Sequence, residues 1–192
     1  MRALILCLGL IYALAACDRP PPATKAAPES SIRIGGPFQL IDTERRPVTE
    51  ASLLGKPTVV FFGFTFCPEV CPTTLAELTA ALKTLGPDAD KLNVVFVSVD
   101  PERDTPEQMK LYLSSFDPRI QGFTGTVEQV DRAAKAYRVY HRKVDTGEGG
   151  YTMDHTATIY LFDRRGQFVE PLGYGFPQDM IVGRLRLLAR KG

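Results

Sequence analysis

Two cysteines carry the first chemistry in this chain. They stand in Cys67-Pro68-Glu69-Val70-Cys71-Pro72, a Cys-x3-Cys spacing. Residues four apart face the same side of a helical turn, so both sulfurs can serve one centre. The flanking prolines oppose a regular helix across the motif, because Pro72 has no N–H and biases Cys71 away from helical backbone. Thr74-Leu75-Ala76-Glu77 reads as a capping box, which predicts that the regular helix starts at Thr74. The cysteines are therefore expected in a fixed loop leading into a helix N-terminus. The partial positive charge there favours thiolate, which is both a nucleophile and a soft metal ligand. Three readings follow. A structural disulfide would close a very small loop and add little stability. A thiol–disulfide oxidoreductase would more often use Cys-x2-Cys. A metal site with two thiolates is too poor for structural zinc, which takes four ligands, and suits Cu(I).

The elements around this motif predict an α/β fold. Thr58–Phe64 and Asn93–Val99 are continuous β-branched and aromatic runs, the pattern of buried central strands. Leu75, Leu78, Leu82 and Leu85 recur at helical spacing after the first. Thr105-Pro106-Glu107-Gln108 and Thr126-Val127-Glu128-Gln129 are helix starts. Ala157–Phe162 is a third strand, Asp163-Arg164-Arg165-Gly166 a turn, Gln167–Glu170 a hairpin partner, and Pro177 opens a last helix. This order closes as a central mixed β-sheet flanked by helices on both faces, and it matches a thioredoxin-like fold with one added helix. The Cys motif then lies at the carboxyl end of a central strand, where open α/β sheets place their ligands.

Only two histidines are available as a third ligand. His141, in Tyr-His-Arg-Lys, reads as solvated. His155 ends a Gly-rich loop, Gly149–Thr156, entering the third strand; in a thioredoxin-like sheet that loop lies beside the Cys motif, so His155 can meet both sulfurs. Asp154 is the expected partner that orients its imidazole, and Met153 is expected in core or surface. Asp100, Arg103 and Asp104 follow the second strand, in a loop also at the carboxyl edge of the sheet; they read as residues that hold the Cys loop in place or contact a partner, and equally well as turn and cap residues, and stay outside the site.

Composition narrows the setting. Lys+Arg is 23 and Asp+Glu 22, so a strongly basic nucleic-acid binder is excluded. Arg2 and the apolar run 3–14 form a leader too short for a comfortable membrane span, which needs about 20 residues. Leu14-Ala15-Ala16-Cys17 resembles the lipobox of bacterial lipoproteins. The expectation is a signal peptide over 1–16 and lipidation of Cys17. A flexible Pro/Ala/Ser-rich tether completes 17–36, with one domain over 37–192. Asp18 implies retention at the inner membrane, facing the periplasm. Cys7 leaves with the leader, so Cys67 and Cys71 are the remaining free thiols.

Three blocks then resemble the Sco/SenC family: Phe64–Pro72 with its Cys-x3-Cys, Val97-Ser98-Val99-Asp100-Pro101-Glu102-Arg103-Asp104-Thr105-Pro106, and Asp154-His155 before Tyr-Leu-Phe-Asp. The resemblance covers roughly residues 32–190. It implies a thioredoxin-like protein binding copper, Cu(I) or Cu(II), through Cys67, Cys71 and His155. The implied partner is cytochrome c oxidase subunit II, whose CuA centre it would help assemble, with a periplasmic copper donor upstream. In the chaperone role it would not be an enzyme, while thiol–disulfide oxidoreductase activity stays open. The resemblance also implies two alternatives: a thiol–disulfide reductase using Cys67 and Cys71 to keep the CuA cysteines reduced, and a redox or copper sensor. The Thr-x-x-Cys surroundings of a peroxiredoxin are absent.

Overall fold

A computed structural model describes residues 33–147 and 149–191. The leader, Cys17 and residues 18–32 lie outside them. The described chain begins against the domain: Ile34 packs on the core and the Gly35 N–H donates to the Ala136 carbonyl at 3.0 Å.

The apolar run predicted as the first buried strand forms β3 (Thr58–Gly63), buried at every position. It pairs in parallel with β4 (Asn93–Ser98), and β4 pairs in parallel with β5 (Ile120–Thr124). On its other side β3 pairs antiparallel with β8 (Thr158–Phe162), which turns back into β9 (Phe168–Gly173). An N-terminal hairpin, β1 (Gln39–Asp42) and β2 (Pro47–Thr49), completes a seven-stranded sheet ordered β2-β1-β5-β4-β3-β8-β9. A separate two-stranded hairpin, β6 (His141–Gly147) and β7 (Gly150–His155), stands outside that ladder.

Alternation along the central strands assigns the two faces. Phe61, Gly63 and Phe96 face α1 (Val70–Leu85) and α2 (Pro106–Leu113), with Tyr112 of α2 against Phe96 at a 6.0 Å centroid distance. Phe62 faces the opposite way, onto Tyr137 at the end of α3 (Val127–Ala136), 5.4 Å between centroids. Helix α4 (Gln178–Lys191) lies beside α1. The sheet is mixed with helices on both faces, as predicted. Burying each of the large core side chains contributes roughly 1.5–3 kcal/mol, which is what clamps the strand ends that carry the site.

The structure departs from the sequence-based reading at two places that matter. Helix α1 starts at Val70 rather than Thr74. The first intrahelical bond runs from the Thr73 N–H to the Glu69 carbonyl at 3.1 Å. Pro72 therefore sits among the first-turn residues whose N–H groups have no intrahelical acceptor, and its missing hydrogen costs nothing. Thr74, read as a cap, is inside the helix, with a buried hydroxyl that has no hydrogen-bond partner. The second departure is residues 149–155. The predicted loop is mostly strand β7, paired residue by residue with β6, His141 opposite His155. Both strands are polar and only partly buried, so neither shows the hydrophobic alternation that marks a strand.

Candidate metal centre

The end of β3 delivers the first two donors. The chain leaves Gly63, passes Phe64 on the core, and presents Cys67 half-buried before α1. Cys71 follows in the first turn, fully buried. The Cys67 sulfur accepts the Cys71 N–H at 3.4 Å, so a thiol does the work of a helix cap. His155 arrives from the far end of β7. Its Nε2 stands 3.5 Å from the Cys71 Sγ, and one donor atom from each of Cys67, Cys71 and His155 lies within 4.8 Å of the others. The three residues singled out in sequence are the one His/Cys/Asp/Glu cluster of this kind among the described residues.

The imidazole is oriented by two contacts. Its Nδ1 faces the Thr156 carbonyl at 3.1 Å. A carbonyl only accepts, so Nδ1 carries a proton, and Nε2 is the ring nitrogen that faces the sulfurs. Its edge meets the Phe64 ring at 5.7 Å and 89°. Asp154, expected to orient the ring, is instead exposed and pairs with Arg142 at 3.1 Å, because it points to the other side of the strand from His155. His141 is not solvated as expected. It is largely buried, with Nε2 3.2 Å from the Asp131 carboxylate, and takes no part in the cluster. Met153 packs partly buried against the core.

The two thiols differ in acidity. The Cys71 S–H hydrogen-bonds to the Cys67 sulfur, and with His155 and the N–H groups of Cys71 and Glu69 it holds the Cys67 thiol down to about 4, against the opposing effect of burial. The same shared proton, reinforced by burial, pushes Cys71 well above an ordinary thiol. At neutral pH the pair is one thiolate and one thiol. In the reduced protein, alkylation of Cys67 by iodoacetamide is therefore expected to be nearly flat with pH down to about 5 and to fall only below that. An ordinary thiol near 8.5 would gain roughly tenfold per pH unit over the same range. Rates by mass spectrometry that climb that steeply would contradict the assignment.

Two groups near the site were not read as part of it. Gly63, a glycine inside an aromatic strand, signals a close backbone approach. A Cβ there would stand 2.8 Å from the Cys71 Sγ and 2.7 Å from the Phe96 ring. Asp104 is fully buried and accepts from the Thr65 N–H at 3.1 Å, the Thr65 hydroxyl at 2.7 Å and the Ser98 hydroxyl at 2.7 Å. It ties the loop before Cys67 to the end of β4, although burial raises its carboxyl above the usual range. The Asp-Pro-Glu-Arg-Asp block thus serves the site as well as its own turn.

The family model described as SCO1/SenC matches residues 26–190. The chain belongs to the SCO1/SenC family. Among members, it is 41% identical over 160 residues to Protein SCO2, mitochondrial, of Saccharomyces cerevisiae, a match covering 81% of this chain and 53% of that one. To Protein SenC of Rhodobacter capsulatus it is 37% identical, over 80% of this chain and 69% of that one. The chain spans about half the length of the yeast and Arabidopsis thaliana SCO proteins it matches. Solved SCO structures share the thioredoxin-like fold. Bradyrhizobium japonicum ScoI with copper bound superposes at TM-score 0.76 with 52% identity, covering 81% of this chain and 99% of that one. Yeast Sco1 with copper bound superposes at 0.75 with 39% identity, covering 83% and 90%.

Proposed function

We propose that this SCO1/SenC protein is an exported, lipid-anchored copper chaperone that holds copper on Cys67, Cys71 and His155. In this reading it delivers the metal to the CuA centre of cytochrome c oxidase subunit II. The observation that carries the reading is the convergence of two sulfurs and one imidazole nitrogen within 4.8 Å. Two soft donors and one borderline donor suit Cu(I) and fall short of the four ligands of structural zinc. Relatives at 52% and 39% identity have been solved with copper bound.

The residues divide the work. Cys67, already a thiolate and at the surface edge, is the ligand a partner's donor can displace first. Cys71, buried and protonated in the free protein, loses its proton on binding and holds the metal from below. His155 closes the third side. Release is then ligand exchange, one thiolate at a time. Residues 1–16 are proposed as the leader, Cys17 as the lipidated residue and 17–36 as the tether. That arrangement would keep the domain facing the periplasm beside a membrane-bound partner and raise its effective concentration there. No helix among the described residues is long and apolar enough to cross a membrane.

Anaerobic Cu(I) titration of the reduced protein tests the site. His155→Ala is expected to keep one copper per chain but to bind it at least roughly tenfold more weakly, since two thiolates remain. Unchanged affinity would remove His155 from the site. The asymmetric thiols support a second reading, a dithiol reductase with Cys67 as attacking thiolate and Cys71 as resolving thiol. That activity needs no imidazole ligand, so full oxidase assembly by His155→Ala in cells would favour it.

A further inference from the structure

The His155 strand is not hydrogen-bonded into the seven-stranded sheet; the chain enters the sheet at Thr158 on one side of His155, and on the other side the hairpin is held by side chains. The tightest attachment is at Tyr151, on the same hairpin strand. The Arg103 guanidinium carbon sits over the Tyr151 ring, 3.7 Å from its centroid, and Nη1 donates to the Tyr151 carbonyl at 2.9 Å. Its Nε donates to the Asp100 carboxylate, and the other oxygen of that carboxylate accepts the Tyr151 hydroxyl at 2.9 Å. On the Cys side the same guanidinium stands 4.8 Å from the Phe66 ring and 5.9 Å from the Phe64 ring. Phe66 immediately precedes Cys67, and Phe64 is the ring on which His155 rests edge-on.

We propose that Arg103 is a positioning residue that clamps the β6–β7 hairpin to the Cys loop and so sets the place of the His155 ring. Tyr151 and His155 lie four residues apart on one face of an extended strand, so an anchor at the first sets the course of the chain to the second. The other side-chain ties of the hairpin are more open to water: Lys143 to Glu102 is half-exposed at both ends, and His141 pairs with an exposed Asp131. Asp100, by contrast, is only 2% exposed, so the Arg103 ion pair is screened less than those. Lysine could keep the charge beside Asp100, but it could not stack on Tyr151 and Phe66 while also donating to two acceptors.

The inference rests on the copper reading and deepens it. In the Cu(I) titration, Arg103→Ala is expected to weaken binding by about 10- to 100-fold, the usual cost of losing a group that orients a ligand, and by no more than His155→Ala does. Arg103→Lys should recover only part of it. The Cu(II) form of Arg103→Ala should lose imidazole-nitrogen hyperfine structure in its electron paramagnetic resonance spectrum. Most diagnostic, Arg103→Ala should cost nothing further in a His155→Ala background, because it acts through that ring. Full, additive losses in the double variant would show a merely structural role and overturn the proposal. So would wild-type binding by Arg103→Ala while His155→Ala is weak, which leaves the copper reading intact. Wild-type binding by His155→Ala would sink both. If Arg103→Ala does not fold, Tyr151→Leu breaks the same clamp from the hairpin side and is read by the same cycle.

Discussion

Cys71→Ser is expected to abolish tight Cu(I) binding, and Cys67→Ser to do nearly the same. A serine hydroxyl has no soft donor and does not ionise near neutral pH, so each variant leaves one thiolate and one imidazole. The expected loss in affinity is well beyond the roughly 100-fold that removal of an orienting group costs. The two variants should differ in the metal-free protein. Cys71 is fully buried and its proton holds Cys67 acidic, so Cys71→Ala, which removes the donor, should move the Cys67 thiol up toward ordinary values, and Cys71→Ser, whose hydroxyl can still donate, should move it less. Cys67→Ser should leave Cys71 protonated and unreactive. Competition against a chromophoric Cu(I) chelator, with alkylation rates for the remaining thiol, measures both. Retention of one tightly bound copper by both serine variants would remove the cysteines from the site.

The second large effect belongs to a residue with no side chain. Gly63→Ala places a methyl group 2.8 Å from the Cys71 sulfur and 2.7 Å from the Phe96 ring, closer than Cβ atoms come to their neighbours. Neither neighbour is free to yield, since Phe96 is fully buried between Phe61 and Tyr112, and Cys71 is held by the first turn of α1. Overpacking of this kind costs about 1–3 kcal/mol. For a domain of this size that corresponds to a fall of roughly 2–12 °C in Tm. It should also displace the Cys71 sulfur from its place beside His155, so copper affinity should fall with stability. Gly183→Ala is the matched control. It lies in α4 with nothing within 4 Å of the added carbon. Removing a helical glycine there should raise stability by up to about 1 kcal/mol and leave copper binding unchanged. Calorimetry and Cu(I) titration of the two variants give the comparison; a Gly63→Ala protein as stable and as tight as wild type would contradict the packing described.

The acid block after β4 shows how far residue types carry. Asp104 reads in sequence as a turn residue beside a helix cap, and Thr105 does cap α2, accepting from the Gln108 N–H at 3.2 Å. Nothing local shows that the Asp104 carboxylate also reaches back to Thr65, thirty-nine residues earlier, because that bond exists only once β3 and β4 lie side by side. Arg103 is similar: its partners are 37 and 48 positions away, at Phe66 and Tyr151. Hairpin β6–β7 is illegible in the sequence for another reason. It buries no continuous face, so its strands carry charge where the central strands carry valine and phenylalanine.

Local chemistry alone was enough to mark the two sulfurs, the buried strand before them and the leucine face after them. Cysteine is scarce in this chain, and apolar periodicity is written wherever a side chain must leave water. What needed the folded chain was the distance from His155 to Cys71, the contact of its Nδ1 with the Thr156 carbonyl, and the start of α1 at Val70. Each depends on groups remote in the chain or on backbone geometry, and neither leaves a periodic trace in the order of residues.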